Sequence, residues 1–235
     1  MNVITNNALF GIALSLIAFE IGIIFYKKTK LPIFNPLLIA IALIIVFLTT
    51  FNIDLETYNE GAQFINIFLG PATVILAVPL YKQINLLKRY SLPIIAGIFI
   101  GSTVGITSII ILSYLLGLND TLIKSLVPKS VTTPIGIEIS SQLNGIISIT
   151  VVGIIVSGII GAVFGPLICK ILKIENNIAV GISLGTASHA VGTTKALEIG
   201  ETEGAMSSLS IGIAGIMTVF LAPIIYNILY KILHM

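Results

Sequence analysis

Polar and ionisable residues are rare in the apolar stretches of this sequence, and most of them fall in three short segments. These segments are residues 70–73, 128–138 and 185–194. Ionisable groups at membrane depth are costly unless they are paired or hydrated, so residues of this kind are candidates for function. The three segments are therefore where the chain could bind or move a charged molecule.

The first segment, Gly70-Pro71-Ala72-Thr73, predicts a broken helix. Proline in the first turn of a helix loses no needed hydrogen bond, and a preceding glycine permits the break. The N–H groups after Pro71 can then point into a cavity, where a helix N-terminus favours an anion. We predict Gly70, Pro71 and Thr73 as anion-binding residues. The alternative is a simple kink for close packing.

The second segment carries a lysine, three hydroxyl residues and Glu138, with prolines at positions 128 and 134. Such a cluster is unusual in a chain this apolar, and hydroxyls and a cation suit a carboxylate. The residues that we predict to bind the anion here are Lys129, Ser130, Thr132 and Thr133. Alternatively, the segment is a shallow hairpin from which Lys129 and Glu138 reach the membrane surface.

The third segment surrounds His189, which is the only histidine in any apolar stretch, because His234 lies in the C-terminal tail. The residues that we predict to bind the anion here are Ser188, His189, Gly192 and Thr193. An unperturbed imidazole titrates near about pH 6.5, so His189 is also a candidate for proton coupling, with Glu138 and Glu20 as the others. The alternative is a hydrogen-bonded packing residue.

Signatures of enzymes are missing. One cysteine and two histidines make no plausible zinc cluster, and the glycines do not follow a nucleotide-binding pattern. Ser188 beside His189 is no catalytic pair, because neighbouring helical residues do not face each other. We expect no enzymatic activity, no metal and no cofactor. The net charge of +2 also speaks against a nucleic acid partner.

The composition requires a lipid bilayer around these segments. The 235 residues are 56% hydrophobic and 9% charged, with a mean hydropathy of +1.10, whereas soluble domains have roughly 25% charged residues. We predict an all-α polytopic membrane protein of about seven or eight transmembrane helices. Five continuous spans are predicted at Ala8–Tyr26, Pro36–Phe51, Leu92–Leu116, Ile146–Cys169 and Ala205–Tyr230, the first of them a retained span. Broken or re-entrant helices are predicted at Gly61–Tyr81, Asp120–Gln142 and Asn177–Gly200, with their breaks facing inward.

Basic residues in the connecting loops predict the orientation, because such loops stay in the cytoplasm. Nine residues are assigned to the inside on this ground: Lys27, Lys28, Lys30, Lys82, Lys88, Arg89, Lys170, Lys173 and Lys231. Acidic loops, including Glu201 and Glu203, are assigned to the outside. The N-terminus is then outside and the C-terminus inside, provided that residues 120–142 form a re-entrant hairpin.

A self-comparison predicts an inverted repeat within a single membrane domain, residues 1–235. Residues 69–73 are echoed by residues 184–188, and residues 95–98 by residues 213–216, at offsets of 115 and 118 residues. In the predicted topology the two copies cross the membrane in opposite directions. The repeat halves would be residues 1–117 and 118–235, an arrangement that points to a transporter site near the middle of the membrane.

Three runs resemble the signature blocks of the LrgB/CidB family: LGPATVILAVPLYKQ, PKSVTTPIGIEIS and SLGTASHAVGTTKALEIGETEGAMSSL. Thr194 departs from the alanine expected in the third block. The resemblance implies a multi-pass protein of the bacterial cytoplasmic membrane that acts with a small LrgA/CidA-type holin-like partner. Such proteins are described as regulators of murein hydrolase activity and autolysis and as components of pyruvate transport. A plant relative carries glycolate and glycerate across the chloroplast envelope.

Two functional hypotheses follow. The first is a carrier or channel for small monocarboxylates such as pyruvate, glycolate or lactate, bound where the broken helices meet. The second is an antiholin-like module that regulates autolysis through its partner. Three hydroxyl-rich helix breaks favour the carrier, because a pore regulator needs only amphipathic or small-residue helix faces. Either protein could form a homo-oligomer.

Overall fold

A computed structural model describes residues 9–29, 34, 36–68, 71, 74 and 77–233. These residues form helices and connections, without a strand among them. In chain order the helices are α1 (Leu9–Thr29), α2 (Pro36–Thr50), α3 (Leu55–Asn66), α4 (Ala77–Lys82), α5 (Ile84–Arg89), α6 (Ser91–Leu115), α7 (Asp120–Leu126), α8 (Thr133–Gln142), α9 (Ile147–Ile171), α10 (Asn177–Ile199) and α11 (Glu201–Leu233). They fall into two compact units, residues 1–75 and residues 76–235.

Four of the described helices are long and apolar enough to cross a membrane: α1, α6, α9 and α11. A helix of 25 residues, such as α6 or α9, is about 37 Å long and exceeds the roughly 30 Å of the hydrocarbon core. The prediction of an all-helical, multi-pass membrane protein is therefore confirmed. The shorter α2 has 15 residues. The total of seven or eight transmembrane helices stays a prediction, and the predicted break at residues 61–81 lies partly outside the described residues.

In the first unit, α1 packs against α2 and α3 through small residues. A Cβ atom on Gly22 would lie 2.9 Å from Cα of Pro36, so the start of α2 approaches the backbone of α1 directly. Ser15 adds a hydrogen bond to the hydroxyl of Tyr58 in α3, with 2.8 Å between the oxygens. Glu20 is exposed on α1.

In the second unit, α6 and α11 run parallel. Ile94 near the start of α6 shares a buried cluster with Met206 near the start of α11. Ile110 near the end of α6 shares another buried cluster with Tyr226. This second cluster, formed by Ile106, Ile110, Ile123, Val127, Val131, Ile139, Ala222 and Tyr226, is called the apolar plug below.

Residues 120–142 fold back on themselves and are called the first hairpin. A Cβ atom on Gly136 would lie 3.5 Å from the carbonyl oxygen of Pro128, and Thr150 bonds to both Ser125 and Ser140. These contacts require the chain to reverse between α7 and α8. The two limbs have 7 and 10 residues, about 10 and 15 Å, so neither could cross a bilayer.

Residues 177–199 form a second hairpin, because α10 is interrupted at His189, whose φ of 41° and ψ of −132° are not helical. These angles are close to those of the first central residue of a type II′ turn. A Cβ atom on Gly192 would lie 3.2 Å from the carbonyl carbon of Leu184, although residues eight apart in a straight helix are about 12 Å apart. The second limb therefore runs back alongside the first.

The unit thus contains the same arrangement twice, a hairpin followed by a long helix. Leu184 packs against Gly165 near the end of α9, while Gly185 packs against Ser207 near the start of α11, so α9 and α11 run antiparallel. Both hairpins start after an asparagine cap. Asn119 accepts a hydrogen bond from the N–H of residue 122, and Asn176 from those of residues 178 and 179. The two hairpins therefore approach α9 from its opposite ends.

This fold corrects the predicted orientation. Glu201 was expected outside and Lys82 inside, but their charged groups lie 3.2 Å apart, so the assignment to opposite sides is wrong. The cause is the reversal at His189, which returns the chain to the side from which α10 starts. Lys231 then lies at the far end of α11 from Lys82, so placing these two residues on one side is also wrong. Tyr226 marks that far end, where its hydroxyl donates a hydrogen bond to Asp120.

The predicted repeat with halves 1–117 and 118–235 loses the support that it took from those charges, because Glu201 is not across the membrane from Lys82. Most of its first copy, residues 69–73, lies outside the described residues. The division at residue 117 therefore stays a prediction.

Candidate functional site

The tips of the two hairpins reach the middle of α9 from opposite directions. Ser157 donates a hydrogen bond to the carbonyl oxygen of Lys129 in the tip of the first hairpin, at 2.6 Å. The Nε2–H of His189 in the tip of the second donates to the carbonyl oxygen of Ile154, at 3.0 Å. Ile154 and Ser157 are one helical turn apart, so both breaks in the chain meet at one level of the unit.

Glycines on α9 allow the second tip to come this close. A Cβ atom on Gly158 would lie 2.7 Å from Cε1 of His189, and one on Gly161 would lie 2.7 Å from Cβ of Ser188. Real Cβ atoms essentially never make contacts this short, so side chains at these positions would displace the tip. His189 is consequently buried, with 5% of its surface exposed.

Hydroxyl groups fasten each hairpin to the helix that follows it. Oγ1 of Thr150 lies 2.7 Å from Oγ of Ser140 and 2.8 Å from the carbonyl oxygen of Ser125. In the second copy, Oγ1 of Thr193 lies 2.7 Å from Oγ of Ser207. The hydrogen bonds hold the limbs in place, so Thr193 has a packing role in this conformation.

A cavity of about 670 Å³ lies between α6, the tip of the first hairpin and the first limb of the second. At one end it reaches Tyr90 and Asn176, which are exposed and lie at the Lys82 end of the unit. Its inner end is lined by Val127, Lys129 and Ser130. Val127 also belongs to the apolar plug, which fills the space beyond. The cavity, called the inlet below, therefore runs from the Lys82 end of the unit to the first tip.

Lys129 is the residue of this inlet that carries a charge. Its ammonium lies 3.0 Å from Oγ of Ser130. None of the ion pairs within the described part of the chain involves it. A half-buried ammonium with a neutral hydroxyl as partner favours an anion, because burial of an unbalanced charge is costly.

The structure brings some of the predicted site residues together and leaves others apart. Lys129 and Ser130 line the cavity. The residues packed under the second tip are Ser188, His189, Gly192 and Thr193, all buried. Thr132 and Thr133 are half-buried at the start of α8 and are not among the residues lining the cavity.

The remaining predicted residues lie elsewhere. Glu138 is exposed on α8, where Gln142 donates a long hydrogen bond of 3.5 Å to its carboxylate. Pro71 and Glu20 are exposed residues of the first unit. Gly70 and Thr73 lie outside the described residues.

Sequence reasoning missed Ser102 and Thr186 as cavity residues. Each is 7% exposed, and neither hydroxyl has a hydrogen-bond partner among the described residues. Glycines at positions 97, 101 and 105 of α6 line the same wall. Their four-residue spacing is the small-residue pattern of close helix approach and could have identified this wall.

Comparisons with known proteins identify the family of this chain. Residues 15–228 match the family described as the LrgB-like family. "Antiholin-like protein LrgB" of Bacillus mycoides (strain KBAB4) is 39% identical over 220 residues, 93% of this chain and 96% of that protein, and the protein of the same name from Bacillus cereus (strain B4264) gives the same values. YxaC of Bacillus subtilis (strain 168) is 39% identical over 218 residues, 93% of this chain and 95% of YxaC. No solved structure matches. The chain belongs to the LrgB-like family, as its three sequence blocks predicted.

Proposed function

We propose that this protein carries small monocarboxylates across the bacterial cytoplasmic membrane and binds the anion beside Lys129. The observation on which this rests is a lysine without an acidic partner in the described structure, at the closed end of an inlet. Because an isolated charge at membrane depth is destabilising, the substrate would supply the missing negative charge.

The two inverted hairpins support a carrier more than a static pore. Discontinuous segments of opposite direction that meet near the middle of the membrane are typical of secondary transporters. Irregular backbone at that depth persists where it is buried in protein or lines a water-filled cavity. The tips at Lys129 and His189 fulfil this condition, since one lines the inlet and the other is bonded to α9.

The charges at the ends of the unit suggest its direction in the membrane. The basic residues at the end where the inlet opens are Lys82, Lys88, Arg89, Lys170 and Lys173. By the preference of basic loops for the cytoplasm, this end faces inside, and the C-terminal end of α11 faces outside. The conformation would then be the one open to the cytoplasm.

Uptake of labelled pyruvate, glycolate and lactate into proteoliposomes tests the proposal. Lys129→Gln should weaken the apparent affinity about ten- to a hundredfold. This corresponds to the loss of a hydrogen bond to a charged group, which contributes roughly 1.5 to 3 kcal/mol. Lys170→Gln, an exposed lysine at the same end, is the matched control and should behave as wild type. Unchanged affinity in Lys129→Gln would reject the site. Absence of uptake by wild-type protein, with and without an LrgA/CidA-type partner, would reject the function.

The second candidate is an antiholin-like regulator of murein hydrolase activity and autolysis that acts through an LrgA/CidA-type partner. It is favoured by the name "Antiholin-like protein LrgB" of the relatives. Autolysis measured in cells that express Lys129→Gln separates the two candidates. Normal autolysis control that needs the partner but not Lys129 would support the regulator.

A further inference from the structure

Four buried hydroxyls have no hydrogen-bond partner in the described structure, and they belong to Ser102, Thr103, Thr186 and Ser188. Buried polar groups in proteins are normally paired, so each exception calls for an explanation. Two of the four, Ser102 and Thr186, line the cavity. An unpaired hydroxyl in a cavity wall can bond to a molecule that enters the cavity once its side chain rotates toward that molecule.

A neighbouring residue shows that the cavity wall does not by itself leave hydroxyls unpaired. Thr218 of α11 also lines the cavity, but its hydroxyl donates to the carbonyl oxygen of Ala214 at 2.7 Å. Ser210 does the same to Met206. This bond to the preceding turn is the usual solution for a helical hydroxyl. Ser102 and Thr186 lie in helices as well and do not have it.

Ser102 and Thr186 lie on opposite helices of the cavity wall, α6 and the first limb of α10, and their hydroxyl oxygens are covered in this conformation. Gly101 lets the helices approach at this point, because its missing Cβ would lie 3.1 Å from Cγ2 of Thr186. One turn further along α6, a Cβ on Gly105 would have no atom within 4 Å. The wall beside Ser102 is therefore open space in which a small molecule could lie.

We infer that Ser102 and Thr186 are substrate-binding residues that hydrogen-bond a second oxygen of the carried anion and so select for it. The inference rests on the proposed carrier function. Lys129 and Ser130 would hold the carboxylate, as proposed above, while these hydroxyls hold a hydroxyl or keto oxygen of the same molecule. An acid of equal length that lacks this oxygen would leave the hydroxyls of Ser102 and Thr186 unpaired. A binding site that hydrogen-bonds a substrate oxygen rejects the analogue without that oxygen more strongly than an apolar site does.

Competition between lactate and propionate for labelled pyruvate uptake in proteoliposomes measures this selection, because the two acids differ by one hydroxyl. Wild-type protein should favour lactate. Ser102→Ala and Thr186→Val should each reduce the lactate-to-propionate preference roughly tenfold, mainly by weakening lactate. Thr186→Ser keeps the hydroxyl and should keep the preference. Thr218→Val removes a paired hydroxyl from the same wall and should also keep it.

The outcomes separate this inference from the carrier proposal. If wild-type protein takes up labelled pyruvate but Ser102→Ala and Thr186→Val retain the preference, the inference is wrong and the carrier stands. Equal weakening of both acids would mean that the residues only shape the wall, and would also overturn it. If wild-type protein takes up no carboxylate, both fail. Variants that fail to fold are identified by thermal unfolding, with dye labelling of the buried Cys169 as the readout.

Discussion

The two hairpins reverse the chain beside α9 in different ways. The first reverses over residues 127–132 and brings Lys129 to the cavity, whereas the second reverses at the single residue His189, which is buried against α9. The first is a wide turn with a charge that no acidic group balances in the described structure, and the second is a tight turn whose histidine is bonded to α9. The comparison teaches that the first hairpin presents a charge to the cavity, whereas the tip of the second is fixed against α9.

Packing shows the same contrast. A Cβ atom on Gly185 of the second hairpin would lie 2.9 Å from Cα of Ser207, a backbone atom that cannot move alone. On Gly136 of the first hairpin it would meet Cδ1 of Ile154, the end of a flexible side chain. At these two positions, the second hairpin therefore packs against backbone, and the first packs against a side chain that can adjust.

The largest expected effect concerns the sides from which the hairpins enter. In protein whose Cys169 is replaced by serine, Gln142→Cys and Glu175→Cys should react with an impermeant thiol reagent from opposite sides, because they lie at the open ends of the two inverted hairpins. Glu201→Cys should react from the same side as Glu175→Cys. Reaction of Glu201→Cys together with Gln142→Cys would show that residues 177–199 cross the membrane.

The second effect is on stability. Gly185→Ala should lower the free energy of unfolding by about 3 kcal/mol, because the new methyl group meets backbone, while Gly136→Ala should cost about 1 kcal/mol. Gly212→Ala, with no atom within 4 Å of its Cβ position, is the control and should be neutral or stabilising. Dye labelling of Cys169 during heating provides the measurement. Equal losses at positions 136 and 185 would remove the contrast between the hairpins.

Hydropathy was sufficient to predict α6 and α9 closely, because long apolar helices need no tertiary information. Proline and hydroxyl residues also indicated the break near Lys129. A break within Asn177–Gly200 was predicted from its glycine and hydroxyl residues, and it lies at His189. The full reversal of the chain there could not be predicted from these residues alone. It depends on Gly158 and Gly161 of another helix and on the bond to Ile154. Charges alone then led to the wrong side for Glu201.

The site was predictable in part for a similar reason. Lys129 is conspicuous in the sequence because a charge is rare in an apolar chain. Ser102 and Thr186 resemble the many helical hydroxyls that bond to the preceding turn, and only the structure shows that they do not.

A smaller effect is expected at the hydroxyl contacts. Thr150→Val should cost about 2 kcal/mol, because it leaves Ser140 and the carbonyl of Ser125 without this partner. Ser207→Ala, which removes one contact with Thr193, should cost about 1 kcal/mol. Unfolding of the Thr150→Val/Ser140→Ala double variant completes a thermodynamic cycle. Additive losses would show that Thr150 and Ser140 do not stabilise each other.

Two opposing changes in stability are expected at His189. Glycine at this position relieves a positive φ that costs about 1 to 3 kcal/mol. It also loses the hydrogen bond to Ile154, which contributes about 1 kcal/mol. The free energy of unfolding of His189→Gly should therefore lie within about 2 kcal/mol of the wild-type value. A loss well beyond that range would assign the turn a larger packing role.

Proton coupling is a separate prediction for the same residue. His189→Gln cannot titrate and should retain substrate exchange while losing any acceleration of uptake by an inward proton gradient. Wild-type acceleration in this variant would move the role to Glu138 or Glu20.

The inlet also bears on where the membrane voltage would act. A cavity that reaches exposed residues admits water, so the electric potential falls mainly across what remains, the apolar plug between Lys129 and the Asp120 end. An elementary charge that crosses this short barrier traverses nearly the whole potential, which is worth about 2.3 kcal/mol per 100 mV. Movement of an anion without a compensating cation would therefore be electrogenic, and an inside-negative voltage would drive it outward.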